Sequence, residues 1–217
     1  KGALFLVAGA VDHETGSRDV SKLSGLRRSM PRTALAGGLA ALSMAGLPPA
    51  LGFIAKEVLY ETTLAAQPLA GWLTAGALIG NAILVAVSGL VGLKPFIGKA
   101  GETPRHAHSA PLSLDLPPLL LASLGLLAGL LPMVLAAPLV QASAQAALLQ
   151  PLKVKLALWH GLNPMLALSA LTLVLGAALY LGWRPVWELT ARLRWLGRFG
   201  PAHAYQVGLE NLRRFAS

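Results

Sequence analysis

The 217-residue chain is 55% hydrophobic and only 12% charged, whereas an ordinary soluble domain carries about 25% charged residues. So few charges cannot cover a soluble surface, and so many apolar side chains exclude intrinsic disorder. The formal net charge is +9, but the cations lie between apolar runs, which indicates membrane topology and no nucleic-acid partner. The absence of cysteine excludes disulfides, thiolate catalysis and cysteine-ligated metal centres within this chain.

Five apolar segments are predicted to lie in the lipid bilayer, where a spanning helix needs about 20 mostly apolar residues. They cover residues 1–11, 33–66, 69–93, 116–140 and 156–183. The first is only part of a span, because Lys1 lies inside an apolar run without an initiator Met or the layout of a signal peptide. The sequence therefore predicts a fragment of an all-α membrane protein, with a transmembrane region over residues 1–183.

The basic residues alternate between the connections. Fourteen of the eighteen lie in segments 12–32, 94–115 and 184–217, whereas the connections at 67–68 and 141–155 hold only two. The positive-inside rule places the first three segments in the cytoplasm and the other two outside. The remaining cations, Lys1 and Lys56, lie inside apolar segments.

Residues 184–217 form a second predicted region that is too polar to span a membrane. Its apolar residues recur at three- and four-residue spacing with arginines between them: Val186, Leu189, Leu193 and Leu196. This pattern predicts an amphipathic helix along the cytoplasmic interface. The alternative is a positively charged stop segment with interfacial tryptophan anchors.

A helix break is predicted within segment 33–66, which is far longer than one span requires. Gly46, Pro48 and Pro49 lie at its centre. The two prolines lack N–H donors, and their rings clash with carbonyl groups one turn earlier. The break frees carbonyl groups such as that of Ala45 near the middle of the membrane, where they need protein or water partners.

Lys56 follows this break by about two turns. An ammonium at the bilayer centre costs roughly 2.5–3.5 kcal/mol, and a broken helix beside such a group is typical of ion transporters. Glu57 is adjacent, and Glu61 lies one turn further on the same helix face. A lysine between an apolar environment and a carboxylate can take up and release protons as its partner moves. The alternatives are a lysine that snorkels to the surface, a proline kink used only for packing, and a static buried ion pair.

Two further residues complete the predicted proton or ion pathway. Lys1 is the second cation inside an apolar run. His160 lies near the outer start of the last predicted span, where a histidine could relay protons or cap the helix. The sequence predicts no catalytic residues, no metal site and no cofactor.

Several motifs resemble those of MrpA-type large subunits of multisubunit cation/proton antiporters, the Mrp/Pha/Mnh family. They are KGALFLVAG at 1–9, DHETGSRD at 12–19, LSGLRRSMP at 23–31, ALSMAGLPP at 41–49 and GFIAKE at 52–57. The antiporter-like subunits of respiratory complex I share these motifs in outline. LALWHGLNP at 156–164 is closer to the MrpA type, and the resemblance covers most of residues 1–180. Residues 184–217 match more loosely, and there the resemblance implies the start of the family's lateral helix.

The resemblance implies a bundle of two inverted helix repeats, of which this chain holds the end of the second. In that family the residue that matches Lys56 is the terminal proton-channel lysine on a broken helix, and Lys1 matches another membrane lysine. The implied protein is a multi-pass component of the bacterial inner membrane, with other membrane subunits and the lipid bilayer as partners. It is part of a transporter rather than an enzyme.

Three functions remain open at this stage. The first is exchange of Na⁺ or K⁺ for H⁺ in an Mrp-type antiporter, and the segment 94–96 (KPF) with the His-rich loop after it looks most like the potassium-linked Pha type. The second is proton pumping in a complex I-like NADH:quinone oxidoreductase or a related hydrogenase. The third is a membrane scaffold without transport. Segments 12–19 and 159–163 favour the first, and Lys56 disfavours the third.

Overall fold

The computed structural model describes residues 1–99, 101, 103–151, 153–159, 161–185, 188 and 201–215. All regular elements in this part of the chain are helical, which confirms the predicted all-α class. The α-helices are α1 (Gly2–Thr15), α2 (Pro31–Ala45), α3 (Leu51–Ala65), α4 (Ala70–Gly92), α5 (Leu112–Leu130), α6 (Ala137–Leu148), α7 (Pro164–Leu181) and α8 (Pro201–Phe215). A short 3₁₀ turn, Lys94–Phe96, follows α4, and a π-helical segment, Pro132–Ala136, precedes α6.

Three of these helical stretches are long and apolar enough to cross a membrane. They are Ala70–Phe96, Leu112–Leu130 and Pro164–Leu181. In contrast, α2 and α3 have 15 residues each, which is too few for either to span alone. Placed end to end, they make one interrupted span, as the sequence predicted for residues 33–66.

The interruption between α2 and α3 begins at Gly46, which ends α2 in the left-handed conformation at φ 69°. The Gly46 N–H donates to the Ser43 carbonyl at 3.1 Å, and the Leu47 N–H donates to the Leu42 carbonyl at 3.1 Å. This is the Schellman pattern, which satisfies two of the carbonyl groups that a helix end leaves free. The predicted break at Gly46–Pro49 is confirmed.

A second interruption was not predicted. Residues 116–140 were expected to form one span, but α5 starts at Leu112 and ends at Leu130, and the π-helical segment separates it from α6. Pro132 explains the break, because it lacks an N–H and its ring collides with the carbonyl of Ala128. The connection predicted at 141–155 therefore lies later in the chain, between α6, which continues to Leu148, and α7, which begins at Pro164.

The two interrupted helices contact each other at their breaks. A Cβ atom on Gly129 of α5 would lie 2.1 Å from the Pro49 carbonyl oxygen and 2.4 Å from the Ala50 carbonyl carbon. Only glycine therefore allows α5 to pack directly on the backbone between α2 and α3. Further along, Ala136 and Ala137 pack with Phe53 and Ile54 of α3 in one apolar cluster.

The last predicted span also begins later than expected. The sequence placed its start at residue 156, whereas α7 begins at Pro164. Proline disfavours a helical conformation for the residue before it, and the Asn163 side-chain oxygen accepts a hydrogen bond from the Leu166 N–H at 2.8 Å. Asn163 thus caps the helix and fixes its start.

The chain divides into two compact units, Lys1–Tyr180 and Leu181–Ser217. In the first unit α2 and α4 cross closely, since a Cβ on Gly92 would lie 2.6 Å from the Gly37 carbonyl oxygen. In the second unit α8 exposes Tyr205, Leu209 and Leu212. The amphipathic pattern predicted at residues 186–196 lies almost entirely outside the described residues.

Candidate functional site

Lys56 lies in α3 at the level of the interruption, and its side chain is buried, with 5% exposed. Its ammonium nitrogen Nζ donates a hydrogen bond to the Ala45 carbonyl oxygen at 3.3 Å. Helical side chains point toward the N-terminus of their helix, so Lys56 turns back from α3 toward the last residue of α2. One of the carbonyl groups that the sequence expected to be freed is therefore the partner of the lysine.

Gly46 makes room for this contact. A Cβ atom at Gly46 would lie 2.8 Å from Cε and 2.9 Å from Nζ of Lys56. The C-terminal end of α2 carries the negative end of its helix dipole, equivalent to about half an elementary charge. The break thus gives the ammonium a carbonyl partner and a favourable potential in a buried position.

Glu57 and Glu61 are separated by the fold. Glu57 is buried, and one of its carboxyl oxygens accepts a hydrogen bond from the Ser169 hydroxyl of α7 at 3.3 Å. Glu61 is exposed. Among the residues that the structure describes, no carboxylate lies within 4.0 Å of the Lys56 amine, so the static ion pair considered from the sequence is absent there.

A second hydrogen bond joins α3 to α7 one turn further along. The Tyr60 and Thr172 hydroxyl oxygens are 2.5 Å apart, and both side chains are buried. Because the Thr172 hydroxyl donates to the Leu168 carbonyl at 2.7 Å, Tyr60 is the donor in this pair. The Thr63 hydroxyl continues the row and accepts from Thr74 of α4 at 3.2 Å.

Sequence reasoning did not single out these α7 partners. Ser169 and Thr172 are three residues apart in an otherwise apolar helix, so their spacing placed them on one face. The sequence shows this spacing, but it does not show that the polar face of α7 packs against α3. Of the remaining predicted residues, Lys1 precedes α1 with an exposed side chain, and His160 lies outside the described residues.

Two further buried carboxyl groups lie near the helix ends that are predicted to be cytoplasmic. Asp115 of α5 accepts from the Thr33 hydroxyl at 2.5 Å, and its other oxygen Oδ2 is buried without a hydrogen-bond partner. Glu14 of α1 lies within 3.0 Å of His13 Nδ1 and 2.9 Å of His108 Nδ1. Glu14 thus attaches the loop after α4 to α1, and Asp115 attaches α5 to α2.

The polar groups along α3 are a buried amine and several side chains that form hydrogen bonds to α7 and α4. In the described part of the chain, no three His, Asp or Glu side chains converge as a metal site. Lys56 instead holds a titratable amine in a buried site, with hydroxyl and carboxyl groups on the next two turns of the helix. Those groups can pass protons along hydrogen bonds.

Comparisons with known proteins identify relatives of this chain. Residues 1–80 match a family model described as NADH:quinone oxidoreductase/Mrp antiporter, TM. The type-A Na(+)/H(+) antiporter subunit of Alkalihalophilus pseudofirmus is 32% identical over 83% of this chain and 24% of its own length. The type-A1 Na(+)/H(+) antiporter subunit of Staphylococcus aureus is 35% identical over 82% of this chain and 24% of its own length.

A solved structure is similar as well. The Mrp complex from Dietzia sp. DQ12-45-1b contains a chain that superposes with a TM-score of 0.72 at 35% identity, over 95% of this chain and 23% of that chain. The present chain thus spans about a quarter of the length of the relatives it matches. With its apolar helices, it is part of a multi-pass bacterial membrane protein. It belongs to the NADH:quinone oxidoreductase/Mrp antiporter family and corresponds to part of an MrpA-type large subunit.

Proposed function

We propose that this chain forms part of the proton pathway of a multisubunit cation/proton antiporter. The observation that carries the proposal is the buried Lys56 amine on the broken end of α2, held by the Ala45 carbonyl at 3.3 Å. Burying an ammonium costs energy, and the carbonyl end of α2 offsets part of that cost. The bond to the carbonyl is stronger when the amine is protonated, because an ionised donor makes a charge-assisted hydrogen bond.

In this proposal Nζ of Lys56 receives a proton from one side of the membrane and releases it to the other. The row from Glu57 through Tyr60 to Thr63 extends along α3 away from the break. Charge–charge coupling is strong in a low-dielectric interior, so a charge that moves in a neighbouring element changes how firmly the amine holds its proton. Exchange of a cation for H⁺ requires this kind of coupling.

The cation and the partner subunits of the proposal rest on the relatives. Those relatives are named Na(+)/H(+) antiporter subunits, which favours sodium, and the similar structure is that of a complex. We therefore propose that the chain works together with other membrane subunits in exchanging Na⁺ for H⁺. Segment 94–96 suggested K⁺ as the exchanged cation, and the vesicle assay described next also tests this hypothesis.

The test measures cation-dependent proton exchange in everted membrane vesicles that contain the whole assembled complex. Lys56→Ala is expected to abolish exchange, since no other amine in the described part of the chain lies at the break. Lys56→Arg is also expected to fail, because a guanidinium does not release its proton at accessible pH. Adding NaCl or KCl to separate samples identifies the cation.

Lys22→Ala is the matched control. Lys22 is an exposed lysine that lies 3.9 Å from Asp19, so its removal is expected to leave exchange unchanged. Blotting for the other subunits checks that each variant assembles. Normal exchange by an assembled Lys56→Ala complex would show that the lysine has only a structural role.

A further inference from the structure

A basic cavity lies between two loops at the side predicted to be cytoplasmic. Its volume is about 590 Å³. One wall comes from the loop before α2 and the other from the loop after α4. The residues that matter here are Gly25, Arg27, Arg28, Phe96, Ile97 and Lys99.

The two loops form a fixed frame. The Gly25 N–H donates to the Ile97 carbonyl at 3.2 Å, and the Leu26 N–H donates to the Pro95 carbonyl at 3.1 Å. Next to them the Ser24 hydroxyl donates to the Lys99 carbonyl at 2.8 Å. These bonds join residues more than 65 positions apart, so the backbone that carries the three cations is set before any ligand arrives.

The frame holds positive charges together without a visible counter-charge. Arg27 and Arg28 come from one loop and Lys99 from the other, and all three line the same cavity. Within the described residues none of the three forms an ion pair, whereas Arg18 and Lys22 in the same loop both have carboxylate partners. Neighbouring like charges repel one another, and a bound anion would offset that repulsion.

The position of the cavity indicates where the anion comes from. The apolar stretch Ala70–Phe96 ends at the cavity wall, and α2 begins at Pro31, three residues after Arg28. Both walls are therefore at the depth of lipid headgroups. Ile97 in the lining is 58% exposed and offers an apolar surface beside the cations, which suits an acyl chain next to a phosphate.

We propose that this cavity binds the phosphate headgroup of an anionic phospholipid such as cardiolipin. The guanidinium groups of Arg27 and Arg28 can each donate paired hydrogen bonds to phosphate oxygens, and Lys99 adds a point charge from the opposite wall. Basic pockets beside membrane helices on the cytoplasmic face are suited to lipids of this class. The inference does not depend on the proposed transport activity, because it concerns binding alone.

The experiment uses the full subunit in its assembled complex, reconstituted in phosphatidylcholine nanodiscs with a small fraction of fluorescent cardiolipin. Ser109, in the loop after α4, is replaced by cysteine and labelled with a dye. Binding is measured by energy transfer between this dye and the fluorescent cardiolipin. The double variant Arg27→Gln, Arg28→Gln is expected to bind roughly 100-fold more weakly, from about tenfold for each arginine that loses its charge-assisted hydrogen bonds to phosphate. Lys99→Gln alone is expected to lose about fivefold.

The control is the double variant Lys22→Gln, Arg32→Gln, which removes the same charge from the same face outside the cavity. It is expected to lose at most about fivefold for each surface cation, less than the cavity variant, since only diffuse attraction is lost. Equal losses in both double variants would overturn the site, because the effect would then come from general surface charge. Displacement of cardiolipin by millimolar inorganic phosphate would overturn the lipid assignment in favour of a soluble phosphate ligand.

Discussion

Gly46 lies directly against the side chain of Lys56, so a methyl group at position 46 would overlap that side chain. The shortest distances to such a Cβ atom are 2.8 Å from Cε and 2.9 Å from Nζ. Gly46 also has φ 69°, which other residues adopt only at a cost. One glycine therefore ends α2 and leaves room for the amine that binds to that helix end.

Gly46→Ala is expected to reduce cation-dependent proton exchange strongly in complexes that still assemble. The substitution costs about 1–2 kcal/mol in backbone conformation and pushes the amine away from the Ala45 carbonyl. Exchange in vesicles, normalised to the amount of assembled complex, is the measurement.

Gly38→Ala serves as the control, because a Cβ there meets nothing within 4 Å and alanine favours the helix. It is expected to keep full exchange. Equal activity of the Gly46 and Gly38 variants would show that the position of the Lys56 amine does not matter for transport.

The break between α2 and α3 was predictable because it depends on covalent chemistry within four residues. Gly46 ends α2 in the left-handed conformation, and the two prolines that follow supply no N–H to continue the helix. The second break, at Pro132, has the same local cause but was hidden by the continuous hydrophobicity of residues 116–140. A single proline can be kept as a kink within a helix, so the sequence alone did not show that Pro132 separates α5 from α6.

Gly129→Ala is expected to destabilise the complex, because its Cβ would lie 2.1 Å from the Pro49 carbonyl oxygen. Backbone atoms cannot rotate away as a flexible side chain can, so α5 must shift, at a cost of about 1–3 kcal/mol. Thermal stability of the purified complex, followed by loss of its monodisperse peak after heating, is the measurement.

Gly125→Ala, one turn earlier on α5, tests the specificity of this effect. Its Cβ would meet the Ser43 hydroxyl at 3.7 Å, an ordinary contact, and little change is expected. If Gly129→Ala were as stable as Gly125→Ala, the close packing of the two breaks would be refuted.

Ser169→Ala is expected to lower the stability of the complex more than Tyr60→Phe does. The first removes the hydroxyl that donates to the buried carboxyl of Glu57, and a buried acceptor without its donor costs about 1–3 kcal/mol. The second leaves Thr172 with its bond to the Leu168 carbonyl and costs about 1 kcal/mol. The same heating assay measures both.

Ser143→Ala is the control for these variants, since the exposed Ser143 hydroxyl donates only to Leu139 within its own helix. It is expected to match the wild type. A smaller loss for Ser169→Ala than for Tyr60→Phe would mean that Glu57 has another donor in the assembled complex.

Lys56 was recognised from the sequence because a charge in an apolar run is conspicuous, whereas its partners were not. Ser169 and Thr172 are more than 100 residues from the α3 side chains they contact, and weakly polar hydroxyls are common in membrane helices. The prediction that Glu61 shares a face with Glu57 was geometrically sound for an isolated helix. In the folded chain Glu57 is buried and Glu61 is exposed. Which part of that helix face is buried depends on tertiary packing, which the sequence does not show.

The orientation of the chain is the last prediction. Ser109 and Gln150 are both exposed, one in the loop before α5 and the other after α6, and each is replaced by cysteine in turn. The basic residues place the first in the cytoplasm and the second outside. In intact cells a membrane-impermeant maleimide is expected to label the Gln150→Cys variant and to miss the Ser109→Cys variant. Permeabilised cells should give labelling of both, which controls for local accessibility. The opposite result in intact cells would invert the topology and move the basic cavity at Arg27, Arg28 and Lys99 to the outer face.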